Sequence, residues 1–252
     1  MGTVVVFDIY PDTEAGVPDQ QTIYRHLAKA RALLQRADFT FSLWKPNSPM
    51  SQIRRGELDV ASAPAEIAAV LELCAEAMAA TKGWFDPYAL PGGLDPTGLV
   101  KGWATQKALD VLTGAGIANV MVNAGGDIAT AGGPAPGQPW RIGIQHPVDK
   151  RGLAAVVDVT AMIATSGTYE RGAHLFNPRE SRLATRFASA SVTGPDLALA
   201  DAAATALAVA GEEGFDFIET LDGYEAFVVR NDGSTRSSPG FRLAPPAAPQ
   251  AD

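Results

Sequence analysis

Gly92-Gly93-Leu94-Asp95-Pro96-Thr97-Gly98-Leu99-Val100-Lys101-Gly102-Trp103-Ala104, followed by an amphipathic run to Leu112, reads as a glycine-rich turn that feeds a helix. Asp95 and Thr97 are cap-type residues, and Leu99, Val100, Trp103, Ala104, Ala108, Val111 and Leu112 recur at helical spacing before Gly114 and Gly116 stop the pattern. The helix is therefore expected to start near Gly98. A helix start presents backbone N–H groups and the positive end of the dipole, glycines permit close backbone approach, and Lys101 adds a cation, a combination that suits a phosphate or diphosphate. A tight turn with a solvated lysine uses the same residues without any ligand.

The rest of the composition bounds the answer from outside. With 252 residues, 46% hydrophobic and 19% charged, the chain can bury a full core. A formal net charge of -8 leaves no basic field to hold a polyanion, so nucleic acid is not an expected partner. The single cysteine, Cys74, falls in the apolar pattern Ile67, Val70, Leu71, Cys74, Ala75, Met78 and reads as a small buried hydrophobe. No apolar run approaches membrane-spanning length and no signal-type segment opens the chain, so the sequence as written is expected to be cytoplasmic, or exported if it is a truncated form.

Taken in order, residues 1–10 are β-branched and aromatic and read as a strand, and residues 24–37 read as an amphipathic helix packed on a sheet. Residues 38–53 contain Pro46 and Pro49 and read as an ordered loop; residues 63–81 form a second amphipathic helix, followed by an aromatic turn with Trp84, Phe85 and Tyr88. Strands are expected at 118–123, 140–147, 154–159, 187–193 and 224–230, and within 161–172 as a strand that ends in a Thr165-Ser166-Gly167 turn, with a double glycine at Gly125-Gly126. A helix over 197–210 ends at Gly211, a natural C′ glycine. From Ser237 the Pro/Ala/Ser-rich tail has nothing in the sequence pattern to bury it, which divides the chain into a domain at 1–236 and a partly disordered tail at 237–252.

The odd feature of the 197–210 helix is Asp201 and Thr205, one turn apart on one face of a run otherwise made of Ala, Leu and Val. A carboxylate and a hydroxyl so placed are hard oxygen ligands for one Mg²⁺, which keeps phosphate oxygens and waters in its shell; Asp201 is read as a surface-facing ligand. The same pair also suits a helix whose acid complements the first turn and whose threonine bonds back to a carbonyl. Thr165-Ser166-Gly167 can present hydroxyls and amides to a ligand. His174, between a loop and Asn177-Pro178-Arg179, has the chemistry of a general base near neutral pH, whereas His146 before Pro147 is read as structural. Trp44, Trp84, Phe85 and Tyr88 lie in loops, where they pack either on a planar ligand or on the core.

Met1-Gly2-Thr3 at the first strand, Phe41-Ser42 with Asn47-Ser48, Gly83-Trp84-Phe85-Asp86-Pro87, residues 95–104, Asn123-Ala124-Gly125-Gly126-Asp127-Ile128, residues 164–169, residues 174–179 and residues 200–206, in this order, resemble the bacterial ApbE family, the FAD:protein FMN transferases. The resemblance implies a single compact α/β (α+β) domain of mixed sheets with packed helices, related to the T-fold. It implies cleavage of FAD with Mg²⁺ and attachment of the FMN half to a threonine or serine hydroxyl of a target flavoprotein, with release of AMP. By position, the metal falls on the backbone at Gly98 and Ala204 and on Asp201 and Thr205. The FAD contacts fall on Met1, Trp44, Trp84, Phe85 and Asp86, with Asp95, Lys101 and Phe176 nearer the nucleotide and phosphates, and His174 matches the family's base; Thr165 is added as a ligand contact from its turn.

The chain departs from the family pattern in three ways. Asn177 stands where the family usually has an aspartate, the segment between Asp86 and Asp95 is short, and no export signal precedes the first strand. An FAD diphosphatase, with water in place of the acceptor hydroxyl, and a non-catalytic FAD-binding protein are the competing readings.

Overall fold

The computed structural model describes residues 2–10, 18–149, 151–159, 161–167, 175–183 and 185–245. Its frame is a seven-stranded sheet in the order β1-β2-β3-β6-β9-β10-β11. These strands are β1 (Val5–Tyr10), β2 (Asn119–Ala124), β3 (Asp127–Ala131), β6 (Met162–Gly167), β9 (Phe187–Gly194), β10 (Glu225–Arg230) and β11 (Thr235–Ser237). Two hairpins stand apart from it, β4 (Trp140–Gln145) with β5 (Leu153–Val159), and the short β7 (Phe176–Asn177) with β8 (Arg182–Leu183). Every one of these pairings is antiparallel, so the α+β form of the expectation holds and the sheet is not of mixed direction.

The helices are α1 (Gln20–Thr40), α2 (Pro49–Arg54), α3 (Ala65–Ala80), α4 (Thr97–Thr113), α5 (Leu197–Ala210) and the single turn α6 (Phe215–Ile218). α4 lies on β2 and β3, α5 lies on β6 and β9, and α1 and α3 pack outside them. The 14-residue α5 is Ala/Leu/Val-rich and nearly all of its residues are buried, as a helix that is apolar all round must be. The opposite face of the sheet is covered by the β4–β5 hairpin, whose Trp140, Ile142, Ile144, Val157 and Val159 form a second core with Ile128, Ile163, Phe227 and Val229.

Two expectations change. Residues 38–53 are not a loop throughout, because α1 continues to Thr40 and Pro49 occupies the first turn of α2, where a missing N–H costs nothing and Ser48 Oγ caps the Ser51 N–H at 3.1 Å. Residues 237–245, expected to have nothing to bury them, are packed. Phe241 is buried and stacks on Phe227 with ring centroids 5.6 Å apart, Leu243 bridges to Val157, and Ala244 N–H donates to the Val156 carbonyl at 2.8 Å. The segment closes the second core over the exposed side of β5, a partner that tail composition does not reveal. Residues 246–252 lie outside the described residues.

Among the described residues no helix is long and apolar enough to cross a membrane. Cys74 is buried, as its position in the apolar pattern requires, and burial, with the Asp95 charge, pushes its thiol up to about 12. Replacing Phe241 by Ala is expected to destabilise the protein by about 3 kcal/mol, the scale for removing a core aromatic. Urea unfolding measures it, and an unshifted midpoint would remove residues 237–245 from the core.

Candidate active site

The turn that the sequence singles out is built much as its residues suggest. Gly92 and Gly93 both take positive φ, 103° and 85°, and Arg54 Nε of α2 holds the Gly92 carbonyl at 2.9 Å. Asp95 Oδ1 accepts from the Thr97 N–H at 2.9 Å and from its hydroxyl at 2.6 Å, so α4 begins at Thr97, one residue before the expected start. The cradle of backbone N–H groups is less open than expected. Thr97 N–H is taken by Asp95, and the N–H groups of Leu99 and Val100 both point to the Pro96 carbonyl, at 3.0 and 3.2 Å. What remains available at this end of α4 is the helix dipole and the backbone around Gly98.

One turn further, α4 meets α5. Gly102 allows it, because a Cβ there would overlap the Leu197 carbonyl oxygen and stand 2.9 Å from Asp201 Cβ. The close approach exposes the Gly102 N–H to Asp201 Oδ2, which accepts it at 3.0 Å. In a regular helix that N–H points to the Gly98 carbonyl, so the carboxylate competes for it. The start of α5 is fixed by both helices: Gln106 of α4 accepts from Leu197 N–H at 2.8 Å and Asp196 caps Leu199 N–H at 2.8 Å.

Asp201 is therefore not surface-facing; it is 2% exposed. Burial first, then the neighbouring charge of Asp127, pushes its carboxyl well above the ordinary 3.8, opposed by Lys101 and by the Gly102 N–H. Thr205, one turn on, shares a 3.0 Å hydrogen bond with Ser166 Oγ of β6, and the position a Gly98 side chain would occupy is 3.7 Å from Thr205 Oγ1 and 3.2 Å from the Phe85 ring. Gly98, Asp201, Thr205 and Phe85 thus converge, with Ala204 buried between the two ligand-type residues on α5.

Two more residues stand at this centre: Asp127, to which the sequence pattern assigns no role, and Ser166, which it places only in a turn able to present hydroxyls. Asp127 is fully buried, and Lys101 Nζ lies 2.8 Å from its Oδ1. Gly125 and Gly126 make a two-residue turn with positive φ at both positions, the Thr3 side chain pressing against Gly125, so Asp127 opens β3 on the same face as Ala129, toward the helices. An acid alternating with a buried alanine after a two-residue Gly-Gly turn was the available signal. Ser166 was the other, and strand alternation decides it: Ser166 faces α5, whereas Thr165 points to the opposite face and bonds Ser191 Oγ at 2.8 Å. Thr165 instead lines a cavity of about 180 Å³ under the β4–β5 hairpin, with Asn123, Gln145, Ile142 and Ile163 among its walls.

The remaining candidates have their own surroundings. Trp84 is buried, with the Arg179 guanidinium carbon 3.8 Å over its ring, while Trp44 is 94% exposed. Asp86 Oδ1 caps the Tyr88 N–H at 2.8 Å, and Phe176 is half-buried in β7. Asn177 is buried and its Oδ1 accepts from the N–H groups of Arg179 and Glu180, at 3.0 and 3.2 Å, a turn cap that an amide makes as well as a carboxylate. His146 Nδ1 receives the N–H groups of Val148 and Asp149, the structural role expected of it. His174 and Met1 lie outside the described residues.

A hard divalent cation fits this donor set: a buried carboxylate, a threonine hydroxyl and the backbone carbonyl of Gly98. Among the described residues there is no group of three or more His, Cys, Asp or Glu side chains able to hold a metal. Fold and site together define an antiparallel α+β protein whose polar centre lies between the start of a glycine-rich helix and a buried alanine-rich one.

The chain belongs to the ApbE family, whose model matches residues 1–91 and 89–228. Among its relatives, the FAD:protein FMN transferase of Rhodobacter capsulatus is 36% identical over 159 residues, 59% of this chain and 30% of that protein. The FAD:protein FMN transferase of Vibrio cholerae is 36% identical over 131 residues, 48% of this chain and 39% of that protein. The matched stretch thus spans less than half the length of these relatives. The solved flavin transferase ApbE from Vibrio cholerae superposes with a TM-score of 0.78 at 21% identity, covering 94% of each chain, and the ApbE protein of Thermotoga maritima with 0.77 at 19%, covering 94% of this chain and 97% of that one. At these identities the likeness is one of fold.

The raised carboxyl of Asp201 has a direct consequence for stability without added cation. Between 3.8 and its native value the folded state holds a proton that the unfolded state has released, so this contribution to stability is undiminished below that window and falls as pH rises through it. Asp201→Asn should flatten that fall. Thermal midpoints against pH in a chelating buffer read it, and parallel profiles for parent and variant would place the retained proton elsewhere.

Proposed function

We propose that this chain transfers the FMN moiety of FAD to a threonine or serine hydroxyl of a target flavoprotein and releases AMP, with Mg²⁺ held at Asp201 and Thr205. The observation that carries the reading is the convergence of Gly98, Asp201 and Thr205 where α4 crosses α5. Family membership and the names of the relatives supply the substrate class.

The step is a phosphoryl transfer. The acceptor oxygen attacks the phosphorus on the FMN side, the bond from that phosphorus to the bridging oxygen breaks, AMP leaves with the electron pair, and the acceptor proton passes to a base, the role given to His174. The cation, when bound, neutralises charge that develops on the diphosphate oxygens. Asp201 is oriented for it by the Gly102 N–H, and Ser166 Oγ can accept the Thr205 proton, turning the threonine lone pairs toward the ligand side. The backbone of Gly98 and Ala204 completes the protein donors. Because the first amides of α4 are largely committed and Lys101 is paired with Asp127, this centre depends on the divalent charge to hold a diphosphate. Phe85, packed against Gly98, stands beside the proposed metal donors, and Trp84, Asp86, Asp95 and Phe176 are the further FAD contacts proposed.

Incubation with FAD, Mg²⁺ and a candidate acceptor protein, followed by intact mass measurement, is expected to show one FMN added to the acceptor and none after chelation. Free FMN with AMP would make the chain a diphosphatase, and unchanged FAD a binding protein. In the same assay His174→Ala should slow transfer by about 10²–10⁴-fold, the usual worth of a positioned base, while FAD binding by titration stays near the parent value. A fall in FAD affinity that accounts for the whole loss would make His174 a pocket wall.

A further inference from the structure

Asp127 takes no part in the step just described, yet it is the most completely buried carboxylate at the centre. A buried charge demands compensation, and here it comes from Lys101 Nζ at 2.8 Å, the lysine itself being 18% exposed. Apart from that ion pair, the Asp127 carboxyl meets the Asp201 carboxyl, whose pKa it raises both by its charge and through a side-chain hydrogen bond. Lys101 is also the residue next to Gly102, whose N–H holds Asp201 Oδ2, and its charge acts on Asp201 as well. Two buried carboxylates thus face one ammonium group.

We propose that Asp127 is a positioning residue that keeps the Lys101 ammonium on itself and off Asp201, leaving the Asp201 carboxylate to a divalent cation. The charges make the point: with all three groups ionised the centre is left with one net negative charge, whereas with Asp127 neutralised Lys101 and Asp201 cancel and the cation must displace an internal ion pair. The glycine turn at Gly125 and Gly126 is what delivers Asp127 to this place, since it opens β3 on the helix-facing side. The inference rests on the reading that Asp201 holds a cation.

The test uses Mn²⁺ alone, titrated into the FAD-free protein and followed by electron paramagnetic resonance, with thermal melts alongside. Asp127→Asn is expected to weaken Mn²⁺ binding by about 10–100-fold, the range seen when the partner of a metal-site residue is removed. Adding Lys101→Met to that variant should return affinity close to the parent, a rescue that a merely structural role of Asp127 would not produce, because removing its partner rebuilds no packing. Lys101→Met alone, which keeps Asp127, should bind Mn²⁺ at least as tightly as the parent and tests the idea even where Asp127→Asn fails to fold. Parent-like binding by Asp127→Asn, no recovery in the double variant, or weaker binding by Lys101→Met would each overturn the inference. Mn²⁺ binding that is absent in the parent, or indifferent to Asp201→Asn, would overturn the cation site itself and the inference with it.

Discussion

The hydrogen bond from the Gly102 N–H to the Asp201 carboxylate is the contact on which the rest of the centre depends. α5 is apolar on every side, so its one carboxylate can be buried only where the facing element offers a donor. A helix normally has none to offer in mid-span, since its N–H groups are turned along its own axis and shielded by side chains. Gly102 removes the shield. Its missing Cβ lets α4 sink onto the first turn of α5, against the Leu197 carbonyl, and the same absence opens an amide to Asp201. Close packing and polar chemistry are here two results of one missing methyl group.

This contact also explains why the charge at the centre is arranged as it is. The glycine-rich turn alone suggests an anion cradle of free amides and a lysine. In the folded chain those amides are used by Asp95 and by the Pro96 carbonyl, and the lysine is paired with Asp127. The positive end of the α4 dipole therefore looks onto a region that is acidic in sum. On the proposed reading, a phosphate-bearing ligand is held there in company with a metal ion.

Most of the secondary structure was legible because it rests on local patterns. The helix over 197–210 carries its own stop at Gly211, and the strands are β-branched runs bounded by turns. Asp201 and Thr205 stood out for a related reason, being polar residues on an otherwise apolar helix. What was not legible depends on partners remote in sequence. Nothing within residues 237–245 says that Phe241 will meet Phe227 or that Leu243 will pair with Val157. The burial of Asp201 is set by Gly102, on the far side of several strands in the chain order, and Asp127 gains its meaning only once β3 lies under α4. Pro49 misled because the same residue that breaks a helix interior is suited to its first turn.

The packing of residues 237–245 onto β5 bears on the order in which the chain can assemble. β1 waits for β2, more than a hundred residues later, before its edge is paired, and the second core is not sealed until Phe241 is present to stack on Phe227. During synthesis the β4–β5 hairpin therefore exists for some time with one side of its apolar face uncovered. Contacts this distant in sequence make for slow closure and for surface exposed meanwhile, which is the situation that molecular chaperones relieve. The last described segment is thus less a tail than the clasp that ends the vulnerable period of folding.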